Sequence, residues 1–167
     1  MIVLETSRLI LREITTEDAR NAYELNLDPD VIQYTGDQPF RSIEEARVFL
    51  ERYDHYKKYG FGRWAVINKS NNEFLGWCGL KYTPELEEHD IGFRFFKKHW
   101  NNGYATESAT ACLSAGFSKF GMKVIVGRAI AENKASINVL TKIGLKFWKE
   151  KVSEGTVEMI YRKIKPD

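Results

Sequence analysis

The stretch from Asp90 to Gly121 constrains the fold most, because its hydrophobic period changes once, abruptly, across a short polar joint. Asp90-Ile-Gly-Phe-Arg-Phe-Phe96 alternates as a strand does. Lys97-Lys-His-Trp-Asn-Asn-Gly103 is polar and ends on glycine. From Ala105 onward the apolar residues recur with a period of about 3.6, which places Ala109, Cys112, Leu113, Gly116, Phe117 and Phe120 on one face, with Gly121 as the stop. This predicts a buried helix rich in small residues. A strand that passes through a polar loop into such a helix also makes an anion site. Successive backbone N–H groups from about Asn101 to Thr106 would point out of the helix N-terminus, where the macrodipole favours negative charge. Gly103 lets the backbone come close to a phosphate, and Ala105 is too small to block it. Gly103 alone would signify only a corner, since a single glycine before a helix is common.

The rest of the chain surrounds this joint with short elements. Leu9 to Ile14 alternates as a strand, and Thr15 with Asp18 has the spacing of a capping box that opens a helix. Asp28-Pro29-Asp30 breaks that helix. Ser42 with Glu45 predicts a second helix carrying Ile43, Ala46, Leu50 and Tyr53 on its apolar stripe and ended by Gly60. Strands follow at Arg63 to Asn68, Phe74 to Tyr82 and Asp90 to Phe96, the first two joined by the turn Lys69-Ser70-Asn71-Asn72. Beyond the buried helix come a strand from Val124 to Ala131, a short helix from Asn133 or Lys134 to Ile143 stopped by Gly144, and a hairpin of Phe147 to Val152 with Val157 to Ile164 around Gly155. The order predicts a mixed α/β domain over residues 1–167, with a mostly antiparallel sheet of about seven strands and helices on both faces.

Composition narrows the function. Lys+Arg of 25 against Asp+Glu of 23 leaves a formal charge of +2 with no long like-charge run, a poor basis for phosphate-backbone binding. Cys78 and Cys112 lie far apart in apolar surroundings and match no metal spacing, so both read as reduced core residues, and no metal is expected. Arg8 and Arg12 interrupt the only apolar stretch near the N-terminus, and no window approaches the roughly 18 apolar residues of a membrane span. A cytoplasmic protein is therefore expected, with neither nucleic acid nor membrane as partner.

Trp100-Asn-Asn-Gly103-Tyr-Ala105-Thr-Glu107 resembles the pyrophosphate-binding signature of the GNAT acetyltransferases, written as Arg or Gln, two residues, Gly, one residue, then Gly or Ala. Trp100 departs from the Arg or Gln. A Trp there and the Tyr-Ala-Thr-Glu ending are similar to the ribosomal-protein N-terminal acetyltransferase branch, as are Thr6-Ser-Arg-Leu-Ile-Leu-Arg12 near the N-terminus and Asn133 to Phe147 downstream. Together the matches span nearly the whole chain in the right order. The resemblance implies the GNAT fold and transfer of an acetyl group from acetyl-CoA to an amine.

It also implies roles for particular residues. The strands Asp90 to Phe96 and Val124 to Ala131 would splay apart, with pantetheine between them paired to the backbone of Phe95 and Phe96. Asn101, Asn102, Gly103, Tyr104, Ala105 and Thr106 would hold the pyrophosphate. Asn133 would contact pantetheine, and it is equally suited to cap the following helix. Ser136 stands where this branch is thought to protonate the departing thiolate, while Leu140 replaces the tyrosine that does so in many other members. Leu140 cannot donate a proton, so Ser136 or a water must. Asp90 stands where relatives place a carboxylate that takes the amine proton. Alternation puts Asp90, Gly92 and Arg94 on one face, with Gly92 leaving space beside the carboxylate. The competing view, slightly favoured by Glu87, Glu88 and His89 just before it, is a solvated turn residue. His89 and His99 are weaker candidates for the base, and Lys97, Lys98 and Lys142 are available to phosphates or to solvent.

An α-amino group, with a pKa of roughly 7.7 to 8.0, is partly neutral at pH 7, whereas a lysine near 10.4 is almost wholly charged. The absence of an unambiguous base therefore fits an α-amino acceptor on a protein or peptide. A small-molecule amine such as a polyamine, an aminoglycoside or an amino acid analogue is the alternative, and a non-catalytic acetyl-CoA-binding module is the third. Tyr34, Phe40, Tyr53, Tyr56 and Trp64 are expected to line the acceptor pocket, and a homodimer is left open.

Overall fold

The computed structural model describes residues 1–167. The chain runs β1 (Ile2–Glu5), β2 (Leu9–Glu13), a 3-10 turn (Thr16–Asp18), α1 (Ala19–Leu27), α2 (Pro29–Ile32), α3 (Ile43–Glu51), α4 (His55–Tyr59), β3 (Arg63–Asn68), β4 (Phe74–Thr83) and β5 (Glu88–Phe95). A second 3-10 turn (Lys97–His99) leads to α5 (Tyr104–Ser118), β6 (Val124–Ile130), α6 (Lys134–Lys142), β7 (Lys146–Ser153) and β8 (Thr156–Ile164). All strands join one 8-stranded sheet in the order β1-β2-β3-β4-β5-β6-β8-β7. The sequence predicts about seven strands. The additional one, β1, is a short edge strand held by backbone pairing to β2 across a register shift, and its Ile-Val-Leu core carries no alternation to announce it.

Most of the expected boundaries hold, and the departures have local causes. Thr15 and Asp18 form the capping box, but it closes a 3-10 turn from which α1 continues. Asp28 ends α1 and then caps α2, with Pro29 at the first helical position. Ser42 accepts a hydrogen bond from the Glu45 amide, whereas the Glu45 carboxylate takes the Arg41 amide, so only half of the second capping box forms. The second helix is split into α3 and α4. Tyr53 leaves the helix to accept a hydrogen bond from the Arg63 amide at 2.9 Å, and Gly60, at φ +81°, closes α4.

The sheet has helices on both faces because its strands alternate. From β4, Cys78 faces α5, with its Sγ 3.8 Å from that of Cys112, and both are free buried thiols. Trp77, on the opposite face, shares a cleft with Leu25 of α1 and Phe49 of α3. Along α5 the buried stripe is Ala109, Cys112, Leu113, Gly116 and Phe117. A Cβ on Gly116 would lie 2.7 Å from Ile125, so a larger residue would push helix and sheet apart. Every neighbouring strand pair is antiparallel except β5 and β6, which run parallel and meet in register only at Asp90↔Val126. Beyond that pair they part, leaving a notch that opens towards the end of β5 and the start of α5.

Candidate active site

One half of the site is backbone. Gly103 caps α5 in the left-handed region at φ +80°, and Asn101 is also left-handed at φ +64°. The amides of Asn101, Asn102, Gly103, Tyr104, Ala105 and Thr106 donate to no acceptor in the chain, while Glu107 N–H already closes the first helical turn on Gly103 C=O. These free donors at a helix N-terminus are suited to an anion. The loop is fixed from both sides. Trp100 Nε1 donates to Phe95 C=O at 2.9 Å, and Asn102 Nδ2 donates to the carbonyls of His99 and Trp100. Thus the Trp that replaces the signature's Arg or Gln ties the loop to the strand end.

Glu107 anchors the same turn to the β1–β2 connection. It accepts from Thr6 Oγ1 at 2.6 Å and from Arg8 Nε at 2.9 Å. Burial pushes the Glu107 pKa up, but the bonds from Thr6 and Arg8 outweigh it and hold the carboxyl below its ordinary value. The Arg8 guanidinium lies over the Tyr104 ring at 4.6 Å and would meet a Cβ on Gly103 at 3.3 Å, so it stands at the mouth of the loop. The sequence signal for it was the Arg of the N-terminal match, which carried no role.

The notch divides the remaining expected residues. On its β5 side, Phe95 is buried in the core and Phe96 packs edge-on to Phe74. Phe96 N–H donates to Leu75 C=O, so alternation turns the Phe95 peptide groups the other way, towards β6. On the far side, Asn133 Oδ1 accepts from the Ser136 amide at 3.2 Å, which is the expected cap, and its Nδ2 has no partner in the chain. The Ser136 hydroxyl makes no bond to its own helix. Ser108, Thr110, Ser118 and Thr141, by contrast, all bond the carbonyl four residues back. Leu140 is buried against Gly127, whose added Cβ would lie 2.5 Å from it.

Asp90 is not a solvated turn residue. It lies within β5, 8% exposed, and its Oδ1 accepts from Arg63 Nη2 at 2.6 Å while Oδ2 accepts from Arg128 Nη1 at 3.4 Å. Arg128 also holds Glu88. Nor is the space above Gly92 open, because the Arg63 guanidinium fills it, 2.7 Å from where a Cβ would stand. The chain comes close enough for Arg63 Nη1 to bond Gly79 C=O and Asp90 C=O as well. Asp90, Gly92 and Arg94 do share a face, as alternation requires.

That face floors a cleft of about 420 Å³ lined by Phe40, Phe49 and Tyr53, with Arg63, Trp77 and Arg94 from the strands. Of the expected pocket residues, Phe40 and Tyr53 line it. Tyr56 instead accepts from the Ile14 amide and donates to Arg63 C=O, Trp64 faces the core at 1% exposure, and Tyr34 lies outside the lining. Trp77 carries Arg63 and Arg94 at 5.5 and 5.3 Å from its ring. His55 Nε2 accepts from the Tyr82 amide at 3.1 Å, which places any ring proton on Nδ1. Burial, then the charges of Arg63 and Lys81, push the His55 pKa below its usual value. Burial also lowers His89. Outside the cleft, Lys97 pairs with Asp30, Lys98 and His99 both pair with Glu73, and Lys142 is exposed.

A parallel strand pair that parts beside a helix whose first amides are free defines a fold with a slot for an extended phosphorylated ligand. Residues 8–146 match the model of the acetyltransferase (GNAT) domain, and the chain belongs to that family. Like its relatives it is an acetyl-CoA-dependent N-acetyltransferase. It is 33% identical over 153 residues to the N-acetyltransferase YoaA of Bacillus subtilis (strain 168), covering 90% of this chain and 85% of that one. Among solved structures, the ribosomal-protein-S5-alanine acetyltransferase of Vibrio fischeri superposes with a TM-score of 0.85 at 15% identity, over 100% of this chain and 98% of that one. The spermidine N-acetyltransferase of Vibrio cholerae, solved with CoA and spermine, gives 0.82 at 17% identity, over 96% and 97%. At such identities these two speak for the fold alone, and between them it serves different acceptors. No helix is long and apolar enough to cross a membrane.

Proposed function

We propose that this enzyme acetylates an α-amino group of a protein or peptide by direct attack within a ternary complex. The observation that carries this reading is that the three acids nearest the β5 side of the acceptor cleft are held by arginines. Asp90 binds Arg63 and Arg128, Glu88 binds Arg128, and Asp37 binds Arg94. A lysine or polyamine, fully charged near pH 7, would need a free carboxylate to receive it, whereas an α-amino group is already partly neutral.

Acetyl-CoA supplies the activated thioester, and the chain's own groups suit it. The amides from Asn101 to Thr106 would hold the pyrophosphate, with Gly103 and Ala105 keeping side chains clear. The Phe95 N–H and Asn133 Nδ2 would hold the pantetheine across the notch, whereas the Phe96 N–H and C=O are already taken by Leu75 and His99. Ser136, with its hydroxyl uncommitted, would give a proton to the departing thiolate, the role Leu140 cannot fill. Both oxygens of Asp90 are engaged by guanidinium groups, so we assign it to fixing Arg63 and Arg128 at the point where β5 and β6 part, with water carrying the amine proton. His55 is unsuited to that task because its one lone pair is taken by Tyr82 N–H. Mass spectrometry after incubation with acetyl-CoA and peptides bearing free or blocked N-termini tests the assignment. Free α-amino groups should be modified, and preferential modification of internal lysines would contradict it.

A small amine is the second reading, favoured by the limited size of the cleft, about 420 Å³.

A further inference from the structure

The cleft carries a charge pattern that narrows the acceptor beyond its amine. Arg94 is the most informative residue in it. Its side chain is 13% exposed, and two elements hold it: Nη1 donates to Asn26 Oδ1 of α1 and Nη2 to Asp37 Oδ2, each at 2.8 Å. Trp77 supports the guanidinium from the neighbouring strand, with its ring centroid 5.3 Å away. The two anchors differ in kind. Asn26 lies on a helix, whereas Asp37 lies on the irregular segment between α2 and α3, just after Gly36 at φ +75°, and its side chain is 53% exposed. A loop carboxylate that reaches from solvent onto a nearly buried guanidinium is an exchangeable partner. Asn26 and Trp77 keep the guanidinium aimed when Asp37 leaves.

Position and field point the same way. Arg94 lies on the same face as Asp90 and Gly92, about 13 Å along β5 beyond Asp90, the last residue at which β5 and β6 meet in register. Lys81, also in the cleft lining, has no ion-pair partner. Removing Asp37 would therefore leave the cleft cationic, which suits an anion and repels a polycation.

We infer that the acceptor is a primary amine that also carries a carboxylate, which Arg94 binds in place of Asp37. The inference rests on the reading that this cleft receives the acceptor. A free amino acid and a peptide with an acidic residue at its N-terminus both present that chemistry. Exchange of one carboxylate for another conserves the charge-assisted bond to Arg94 Nη2 and leaves no buried charge unpaired. It also frees the Asp37 segment, which carries Gln38 and Phe40 of the cleft lining, to settle around the bound acceptor.

The test is thiol release with saturating acetyl-CoA across matched acceptors: glutamate and aspartate against their fully amidated forms, peptides with an N-terminal Glu against Gln, and spermidine. Carboxylate-bearing acceptors should show kcat/KM at least about 10-fold above their amides, and the free-amino-acid and peptide arms identify the source. Arg94→Gln should abolish that preference through KM while calorimetric acetyl-CoA affinity stays unchanged. Asp37→Asn, which removes the internal competitor and leaves Arg94 in place, should lower KM for carboxylate acceptors several-fold. Equal use of acids and amides, preference for spermidine, or an unchanged or higher KM in Asp37→Asn would overturn the inference. Amides acetylated as well as acids would sink the carboxylate site and leave the cleft as acceptor site. Acetyl-CoA bound with no turnover on any amine would sink both.

Discussion

The loop after β5 and the cleft on the opposite face of the sheet, the two sites of the proposed function, are built from different materials. The loop offers backbone amides from Asn101 to Thr106, and its side chains matter mainly by staying small or turning aside, as Gly103 and Ala105 do. The cleft offers side chains gathered from α1, α3, β3, β4 and β5, among them Asn26, Phe49, Arg63, Trp77 and Arg94. A backbone site can be specified by one short segment and reused unchanged. A side-chain site must be specified again for each ligand, which is how a single fold serves a ribosomal protein in one neighbour and a polyamine in another.

The contrast predicts separable defects. The largest belongs to Gly103→Val. A branched residue at φ +80° costs roughly 1 to 3 kcal/mol of strain if the conformation persists, and its side chain would also crowd the phosphate and Arg8. Calorimetry should show coenzyme A affinity falling on the order of 100-fold in a folded protein. Unchanged affinity would remove the loop from cofactor binding.

Ser136→Ala comes next and probes the notch between the two regions. It should lower kcat by roughly 10- to 100-fold with little change in acetyl-CoA affinity. The Ser136 amide still reaches Asn133 Oδ1 in that variant, so the unfolding midpoint should hold. Normal turnover with a lowered midpoint would return Ser136 to a structural role.

Gly92→Ala perturbs the cleft without touching the loop. The new Cβ would stand 2.7 Å from Arg63 Nη2 and displace the guanidinium from Asp90. Losing that donor should cost roughly 1 to 3 kcal/mol of stability and raise the acceptor KM several-fold, at constant coenzyme A affinity. A parallel loss of coenzyme A affinity would show that the two regions are not independent.

The smallest effect is in pH. His55 has a lowered pKa in the folded chain, chiefly from burial and then from Arg63 and Lys81. The unfolded state therefore holds more protons between the folded value and the ordinary 6.5, so stability rises with pH through that window and is lost as pH falls below 6.5. His55→Gln, whose side-chain oxygen can still accept from Tyr82 N–H, should flatten the pH dependence of the unfolding midpoint below the ordinary 6.5. An unaltered slope would assign it to other groups.

The same contrast explains what was legible in the sequence. The period change at Lys97 to Gly103 located the loop, and β3 from Arg63 to Asn68 could be read to the residue, because both signals are local. The cleft was only half legible. Alternation placed Asp90, Gly92 and Arg94 on one face, but nothing near Asp90 in sequence shows that Arg63 and Arg128, from separate strands, close on it. For the same reason Gly92 looked like open space, and Trp64 looked like a pocket residue although its face of β3 turns to the core. Tyr53 fits a helical stripe by spacing, and its bond to the Arg63 amide, which draws it out of the helix, is a tertiary event. The Arg94 pairing with Asp37 likewise joins residues far apart in the chain.

Backbone amide resonances followed by NMR during titration with coenzyme A test the division of labour most directly. The account predicts that the largest shifts fall on Asn101 to Thr106 and on the Phe95, Phe96 and Asn133 amides flanking the notch, while Trp77 and Arg94 in the cleft move little. Large shifts centred on Trp77 and Arg94, with the amides of Asn101 to Thr106 unmoved, would contradict it.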